Sequence, residues 1–198
     1  TDTGDATVDI HADQSIIVDP TNILATVNTL GNADINLTAD NGSITVDNSV
    51  VKSLTASGDA TVDMQAQTDI DIQNDSDVTA ESSNGLASII ATSTAGNITV
   101  SESDLEALAN NANALVELTA NDGSVTVTNP AVPSGHNVKA YVTGNGNADI
   151  DINARGANGD VVIHNADLLA EVGTDGNATI DISADQSMDR VLSAHEIS

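Results

Sequence analysis

The sequence predicts an all-β fold, a parallel β-solenoid with six full coils and a partial seventh. Three observations predict it: a repeat of about 27 residues, three short alternating hydrophobic runs in each repeat, and an aromatic content of only 1%. Period-two alternation bounded by Gly, Asn, Asp and Ser is typical of β-strands. Three strands and three turns form one coil, and stacking of coils satisfies the backbone groups at the coil edges.

The repeat is clearest at the alanine that opens the first run of each unit. The successive alanines lie 27, 27, 27, 27, 34 and 30 residues apart. They are Ala6, Ala33, Ala60, Ala87, Ala114, Ala148 and Ala178. We therefore expect one domain over residues 1–198, with its coils at 4–30, 31–57, 58–84, 85–111, 112–145, 146–175 and, in part, 176–198.

The second and third runs of each unit are shorter and less regular. The second follows a Gly-Ser or Gly-Asn turn at 42–46, 96–100 and 123–127, and the third is expected at 50–54, 78–80, 105–108 and 168–172. Residues 104–113 also resemble a helix. The alternative fold is a pair of immunoglobulin-like sandwiches, which would not require a strict 27-residue period.

Composition excludes several functional classes. Four Lys and Arg against 30 Asp and Glu leave a net charge of −26, so no basic face is available for nucleic acid or for an acidic polysaccharide. One Tyr, without Trp or Phe, cannot form an aromatic platform for sugars, and the absence of Cys excludes disulfides and thiolate metal sites. No apolar run is long enough to span a membrane, so membrane insertion is not expected. The first residue is not Met, which suggests a fragment or a processed product.

Three of the second-strand runs resemble a known family. Residues 41–46, 95–100 and 121–127 read NGSITV, AGNITV and NDGSVTV. They are similar to repeats of filamentous-haemagglutinin-type exoproteins, which are large bacterial surface adhesins, and the similarity extends over nearly the whole chain. The resemblance implies a right-handed parallel β-helix that serves as an adhesin shaft, an extracellular or cell-surface location, and no catalytic residues.

An acidic column is predicted on the outer face of the first strands. Glu117, Asp151 and Asp181 should stack in the last three coils, with Asp149 beside them. Stacked carboxylates repel one another, so a Ca²⁺ ion that bridges coils would stabilise them. The alternative interpretation is an acidic face that is solvated and screened by salt.

A second candidate Ca²⁺ site lies at 69–77. Asp69 and Asp71 should share a strand face, whereas Asn74, Asp75 and Asp77 should form the following corner. Oxygen-rich corners suit a hard cation. Asp and Asn also favour turns through local hydrogen bonds, and this is the alternative explanation for the cluster.

The fifth coil is enlarged, and we expect its extra residues in a loop near 129–141. This stretch includes His136, Lys139 and Tyr141, the only tyrosine. A loop that protrudes from a uniform rod could contact a ligand, so these three residues are the candidate ligand loop. The alternative is a tolerated insertion that has no partner.

Catalysis is not predicted. The four histidines, at 11, 136, 164 and 195, fall in different coils or at different coil positions, and no nucleophile has a base beside it. Thr45, Thr99 and Thr126 form an interrupted ladder. A threonine ladder could suggest ice binding, but threonine also favours strands in general.

The predicted function is a non-enzymatic structural shaft of an extracellular bacterial adhesin or surface fibre. Its expected partners are further coils of a longer chain, copies of itself stacked end to end, or a ligand on a host or neighbouring cell. The alternative is a calcium-dependent binding module that contacts its ligand through 129–141. No cofactor is required for a shaft, and Ca²⁺ is the candidate for the module.

A short capping helix is a further expectation, at the end of the given sequence. It is suggested by the helical spacing of Met188, Val191, Leu192 and His195.

Overall fold

The computed structural model describes residues 3–129 and 137–191 of the chain. Within these residues the secondary structure is entirely β, with three parallel sheets that form a β-solenoid of about 27 residues per turn. The predicted fold class is therefore confirmed. The described residues contain no helix that is long and apolar enough to cross a membrane.

The first sheet has seven strands of seven residues each, one from every coil. Its strands are β1 (Ala6–Ala12), β4 (Ala33–Ala39), β7 (Ala60–Ala66), β10 (Ala87–Ser93), β13 (Ala114–Ala120), β16 (Ala148–Ala154) and β19 (Ala178–Ala184). Each of them begins at the repeat alanine, because the small side chain fits the narrow interior next to a corner.

The second sheet also has seven strands. They are β2 (Ile16–Val18), β5 (Ile44–Asp47), β8 (Ile70–Gln73), β11 (Ile98–Ser101), β14 (Val125–Thr128), β17 (Val161–His164) and β20 (Met188–Val191). The last of these is a strand that pairs with β17, where a capping helix was one expectation. Leu192 and His195, the other residues of that helix, lie outside the described residues.

The third sheet has six strands. They are β3 (Asn22–Val27), β6 (Val50–Thr55), β9 (Asp77–Ser82), β12 (Asp104–Ala109), β15 (Val138–Val142) and β18 (Leu168–Val172). Strand β12 covers the first six residues of the segment 104–113, which resembles a helix in sequence. It adopts a strand because Leu105 and Ala107 alternate inward and pair with the strands of both neighbouring coils.

Register between coils follows the repeat. Val8 pairs with Ile35, and Ile35 pairs with Val62, so one aliphatic side chain lies directly above the next. A pair of sandwiches would not place residues 27 positions apart side by side in parallel strands. With neighbouring strands ~4.8 Å apart, seven strands make a sheet about 30 Å long.

The core is a thin aliphatic column inside the coils. Its largest fully buried side chains are Ile, Leu and Met, interleaved with buried Ala and Val. The inward residues Ile35, Leu37, Ile150 and Ile152 have no exposed surface. Because three sheets face one another across a short distance, the interior has room for branched aliphatic residues and alanine. This explains the near absence of aromatic residues.

A ladder of buried serines joins the corners between the second and third strands. Ser49, Ser76 and Ser103 occupy equivalent positions in successive coils, and all are buried. Ser76 Oγ donates to Val46 O at 3.1 Å and accepts a hydrogen bond from Ser49 N at 3.3 Å. Ser76 N in turn donates to Ser103 Oγ at 3.2 Å. The hydroxyls thus satisfy backbone groups that the corners would otherwise leave buried and unpaired.

A second ladder runs along the corner that precedes the first strand. Asp5 Oδ1 accepts a hydrogen bond from Asn32 N at 2.8 Å, and Asn32 Oδ1 accepts one from Asp59 N at 3.0 Å. Asp59 Oδ1 accepts the next, from Leu86 N at 2.9 Å. These Asp and Asn side chains therefore connect coils, which gives the acidic composition a structural use.

The enlarged fifth coil differs from its neighbour between the second and third strands. In the fourth coil β11 ends at Ser101 and β12 begins at Asp104, whereas in the fifth β14 ends at Thr128 and β15 begins at Val138. Most of the extra length therefore lies between Thr128 and Val138. Residues 130–136 belong to the part that is not described.

Candidate functional site

The predicted acidic column is present on the outer face of the first sheet. Glu117 pairs with Asp151, and Asp151 pairs with Asp181 in the next coil. Asp149 lies on the same face of β16, two residues before Asp151. Glu117, Asp149 and Asp151 are half-buried between neighbouring side chains, whereas Asp181 is exposed at the edge strand.

The pKa of Asp151, the central carboxyl of this column, is raised. Partial burial raises the pKa of its carboxyl, and the charges of Asp149, Glu117 and Asp181 raise that pKa further. Glu117 has a local partner, because its Oε1 accepts a hydrogen bond from Thr119 Oγ1 at 3.1 Å. The arrangement is a line of carboxylates along the rod, with Asp151 at its centre.

Replacing Asp151 with Asn is expected to stabilise the protein at neutral pH. A raised pKa means that the native state binds more protons than the unfolded state between the ordinary value of 3.8 and the raised value. Stability therefore falls as pH rises through that window, and the full cost of the charge is present above it. The substitution removes two cross-strand repulsions, with Glu117 and with Asp181, and each should contribute about 0.2–1 kcal/mol at low salt. At ~2–4 °C per kcal/mol, the expected gain in Tm is about 1–8 °C.

The measurement is thermal melting of Asp151→Asn and of the unmodified chain as a function of pH. The gain should disappear below the ordinary carboxyl pKa and shrink in high salt. Asp175→Asn makes the same charge change at an exposed turn residue and serves as the control. An equal gain in Asp175→Asn would show that net charge, rather than the column, is responsible.

In the second acidic cluster, two members already have roles between coils. Asp69 Oδ1 accepts a hydrogen bond from Asn97 N at 2.8 Å, so its carboxylate connects two coils at the corner that precedes the second strand. Asp71 points outward from β8 and pairs with Thr45 and Thr99 on either side. Partial burial raises the pKa of Asp71, a hydrogen bond from Thr99 lowers it, and the charge of Asp69 raises it.

The other members of this cluster form the following turn. Asn74 and Asp75 both have positive φ, 57° and 59°, a conformation that Asn and Asp tolerate better than most residues. Asn74 Nδ2 donates to Asp47 Oδ1 at 2.8 Å, and Asp77 Oδ1 accepts from Thr79 Oγ1 at 2.6 Å. These contacts are the local hydrogen bonds expected of Asn and Asp at turns.

Two of the three residues of the predicted ligand loop lie in a strand. Lys139 and Tyr141 lie in strand β15, on the outer face of the third sheet, rather than in a loop. His136 lies outside the described residues. Lys139 Nζ is 3.5 Å from Glu106 Oε1 and 5.4 Å from the centroid of the Tyr141 ring, so the ammonium group has both an ionic and a cation–π partner.

A shallow depression of about 270 Å³ surrounds these two residues. Glu81, Leu108, Asn110 and Thr143 are among the other residues that line it. Glu81 Oε2 also pairs with Lys52 Nζ at 3.0 Å. Both lysines of the chain thus lie on the outer face of the third sheet.

Sequence reasoning missed a convergence of His11, Asp13 and Asp40. Ala12 pairs with Ala39, so Asp13 and Asp40 follow β1 and β4 at equivalent corner positions. His11 Nε2 is 2.8 Å from Asp40 Oδ2, and this hydrogen bond, together with the charge of Asp40, raises the pKa of the imidazole. The signal was present in the sequence, because residues 13 and 40 are 27 positions apart.

The fold agrees with the β-helical architecture implied by the resemblance to filamentous-haemagglutinin-type adhesins, at the level of a parallel β-solenoid. Comparison of the chain with protein-family models, with curated proteins and with solved structures finds no match.

Proposed function

We propose that this β-solenoid is a non-enzymatic structural shaft of an extracellular bacterial adhesin or surface fibre. Three parallel sheets run through the described coils, so backbone hydrogen bonds between coils lie along the axis of the rod. Each strand of the first sheet pairs with its equivalents in the adjacent coils. Such an array resists bending because every coil is held by its neighbours over its whole perimeter.

The acidic surface suits this role. The net charge is −26, and none of the described Asp and Glu residues is buried. Like-charged rods repel one another sideways, which keeps them soluble and separate.

The observation that carries the proposal is the burial of the end coils. Inward residues of the central strands are fully buried, whereas Val8 and Ile10 in β1 and Ile180 and Ile182 in β19 are only half-buried. A further coil stacked on either strand would cover these side chains and pair the backbone edge that the described residues leave open. Such a coil could belong to a continuation of the chain or to a second copy.

Electron microscopy of the purified chain over a range of concentrations and salt tests this proposal. The expected particles are straight, one solenoid wide, and lengthen in multiples of one rod as concentration rises. Strictly single short rods would limit the proposal to coils supplied by the same chain. Bent or compact particles would contradict a stiff shaft.

A matched pair of variants tests whether axial contacts drive the lengthening. Ile182→Asp places a charge at an inward position of β19, whereas Ser183→Asp places it at the adjacent outward position. We expect Ile182→Asp to abolish lengthening and Ser183→Asp to retain it, with circular dichroism to verify that both remain folded. Equal lengthening of the two variants would exclude stacking through this edge.

A second candidate function is a calcium-dependent binding module that contacts its ligand through residues 129–141. The stacking of Glu117, Asp151 and Asp181 supports it, since a bridging cation would relieve their repulsion. Ca²⁺ should then raise the Tm by more than equal Mg²⁺, and a chelator should reverse the gain. Asp151→Asn should lose most of the response. A shift equal for both ions would indicate screening alone.

A further inference from the structure

The first corner of the solenoid brings an imidazole and two carboxylates together. His11 is an outward residue of β1, Asp13 follows that strand, and Asp40 follows β4 in the next coil. Asp40 N donates to Ala12 O at 3.0 Å, which holds the two corners in register. Two adjacent coils therefore contribute to one cluster, and stacking fixes its backbone frame.

The side chains converge closely enough to share one ion. His11 Nε2 lies 2.8 Å from Asp40 Oδ2, and one ligand atom from each of the three residues lies within 4.8 Å of the other two. Two ligand atoms of one ion, each at ~2.0–2.2 Å from it, lie closer to each other than that limit but farther apart than a hydrogen bond. An ion bound here would therefore replace the hydrogen bond between His11 and Asp40. All three residues are exposed, so a hydrated ion can approach and keep water on its remaining positions.

We propose that His11, Asp13 and Asp40 form a binding site for a divalent transition-metal ion, for which Zn²⁺ is the representative. One imidazole nitrogen with two carboxylate oxygens is a ligand set that suits Zn²⁺ or Co²⁺, whereas Ca²⁺ and Mg²⁺ prefer oxygen ligands alone. This site is separate from the acidic column and from residues 69–77. It does not depend on the role of the rod as a shaft.

The far end of the rod provides an internal comparison. Asn153, Arg155 and Asp185 occupy the positions that His11, Asp13 and Asp40 occupy at the first corner, because Ala154 pairs with Ala184 as Ala12 pairs with Ala39. The same corner hydrogen bond is present there, from Asp185 N to Ala154 O at 3.0 Å. At this corner an amide replaces the imidazole and an arginine opposes a cation. The backbone frame is thus common to both corners, and the ligand set belongs to the first alone.

Titration of the full chain with Zn²⁺, followed by NMR of the histidine ring resonances, tests the site. The expected result is saturable binding of one ion that shifts the His11 signals, is reversed by a chelator and survives a large excess of Ca²⁺. His164, exposed on β17, should not shift. Equal shifts of all the histidines, or displacement by Ca²⁺, would overturn the proposal.

Variants assign the ligands. His11→Asn copies the residue at the far corner, and Asp13→Asn and Asp40→Asn remove one carboxylate each. Each should weaken Zn²⁺ binding, measured calorimetrically, by at least about tenfold. His164→Asn is the matched control and should bind as the unmodified chain does. Unchanged Zn²⁺ affinity in His11→Asn would exclude this site. Because the three positions are exposed, we expect circular dichroism to show that every variant remains folded.

Discussion

Replacing Ile35 with Asp should destabilise the fold by more than about 4 kcal/mol, the range reached when an unpaired charge is buried in a core. Ile35 has no exposed surface and lies between Val8 and Val62 of the adjacent coils. A carboxylate there would have no partner and no access to water. Because coils contact only their neighbours, we expect the loss to spread from the first coils along the rod.

The matched control places the same residue one position away. Asn36→Asp adds a carboxylate on the outer face, between Asp9 and Asp63. It should cost only about 0.2–1 kcal/mol for each of these two pairs. Chemical denaturation followed by circular dichroism measures both variants, and limited proteolysis shows where unfolding begins. Similar losses in the two variants would contradict the assignment of position 35 to the interior.

Replacing Gly58 with Ala is expected to have the second largest effect. Gly58 has φ +127°, a conformation that side chains rarely adopt, and a Cβ there would collide with the Gly31 carbonyl oxygen of the preceding coil. It would also lie 2.8 Å from Asn32 Oδ1 in the corner ladder. Backbone strain contributes about 1–3 kcal/mol, and displacement of the neighbouring coil should add to it.

Gly4→Ala distinguishes the cost of backbone strain from the cost of a Cβ that collides with the neighbouring coil. Gly4 also has positive φ, at +90°, but a Cβ there would meet nothing within 4 Å. Its denaturation midpoint should therefore fall by the strain contribution alone, and that of Gly58→Ala should fall further. Ala112 occupies the equivalent position of the fifth coil, and its φ is not positive. Alanine is therefore accepted at this corner when the backbone adopts an ordinary conformation. Equal losses at positions 4 and 58 would show that the approach of the coils is unimportant.

The repeat allowed most of the fold to be predicted from sequence. A strict period of 27 residues places Ile35 next to Val8 and Val62, and period-two alternation determines which residues point inward. Even Leu105 and Ala107, in a run with helical character, follow this rule. Pairing with strands on both sides outweighs local helix propensity, because an isolated helix there would leave the neighbouring edges unpaired.

The acidic residues show where sequence reasoning reached its limit. Asp69 and Asp151 look alike in sequence, yet one accepts a backbone hydrogen bond from the next coil and the other is crowded by carboxylates. The stacking of Glu117, Asp151 and Asp181 was predicted because it depends only on register. The use of Asp69 depends on the direction of its side chain at a corner, which periodicity does not specify. Whether either group binds Ca²⁺ stays a prediction.

Sequence by itself determined the coil, the register and the composition of the core, because all three are consequences of periodicity. Only the tertiary structure decided which corner side chains meet. It placed Lys139 and Tyr141 on a strand face, and it brought His11 to within hydrogen-bonding distance of Asp40. Contacts of this kind depend on how each turn directs its side chains toward the next coil. That direction is set by the local backbone geometry of two stacked corners together.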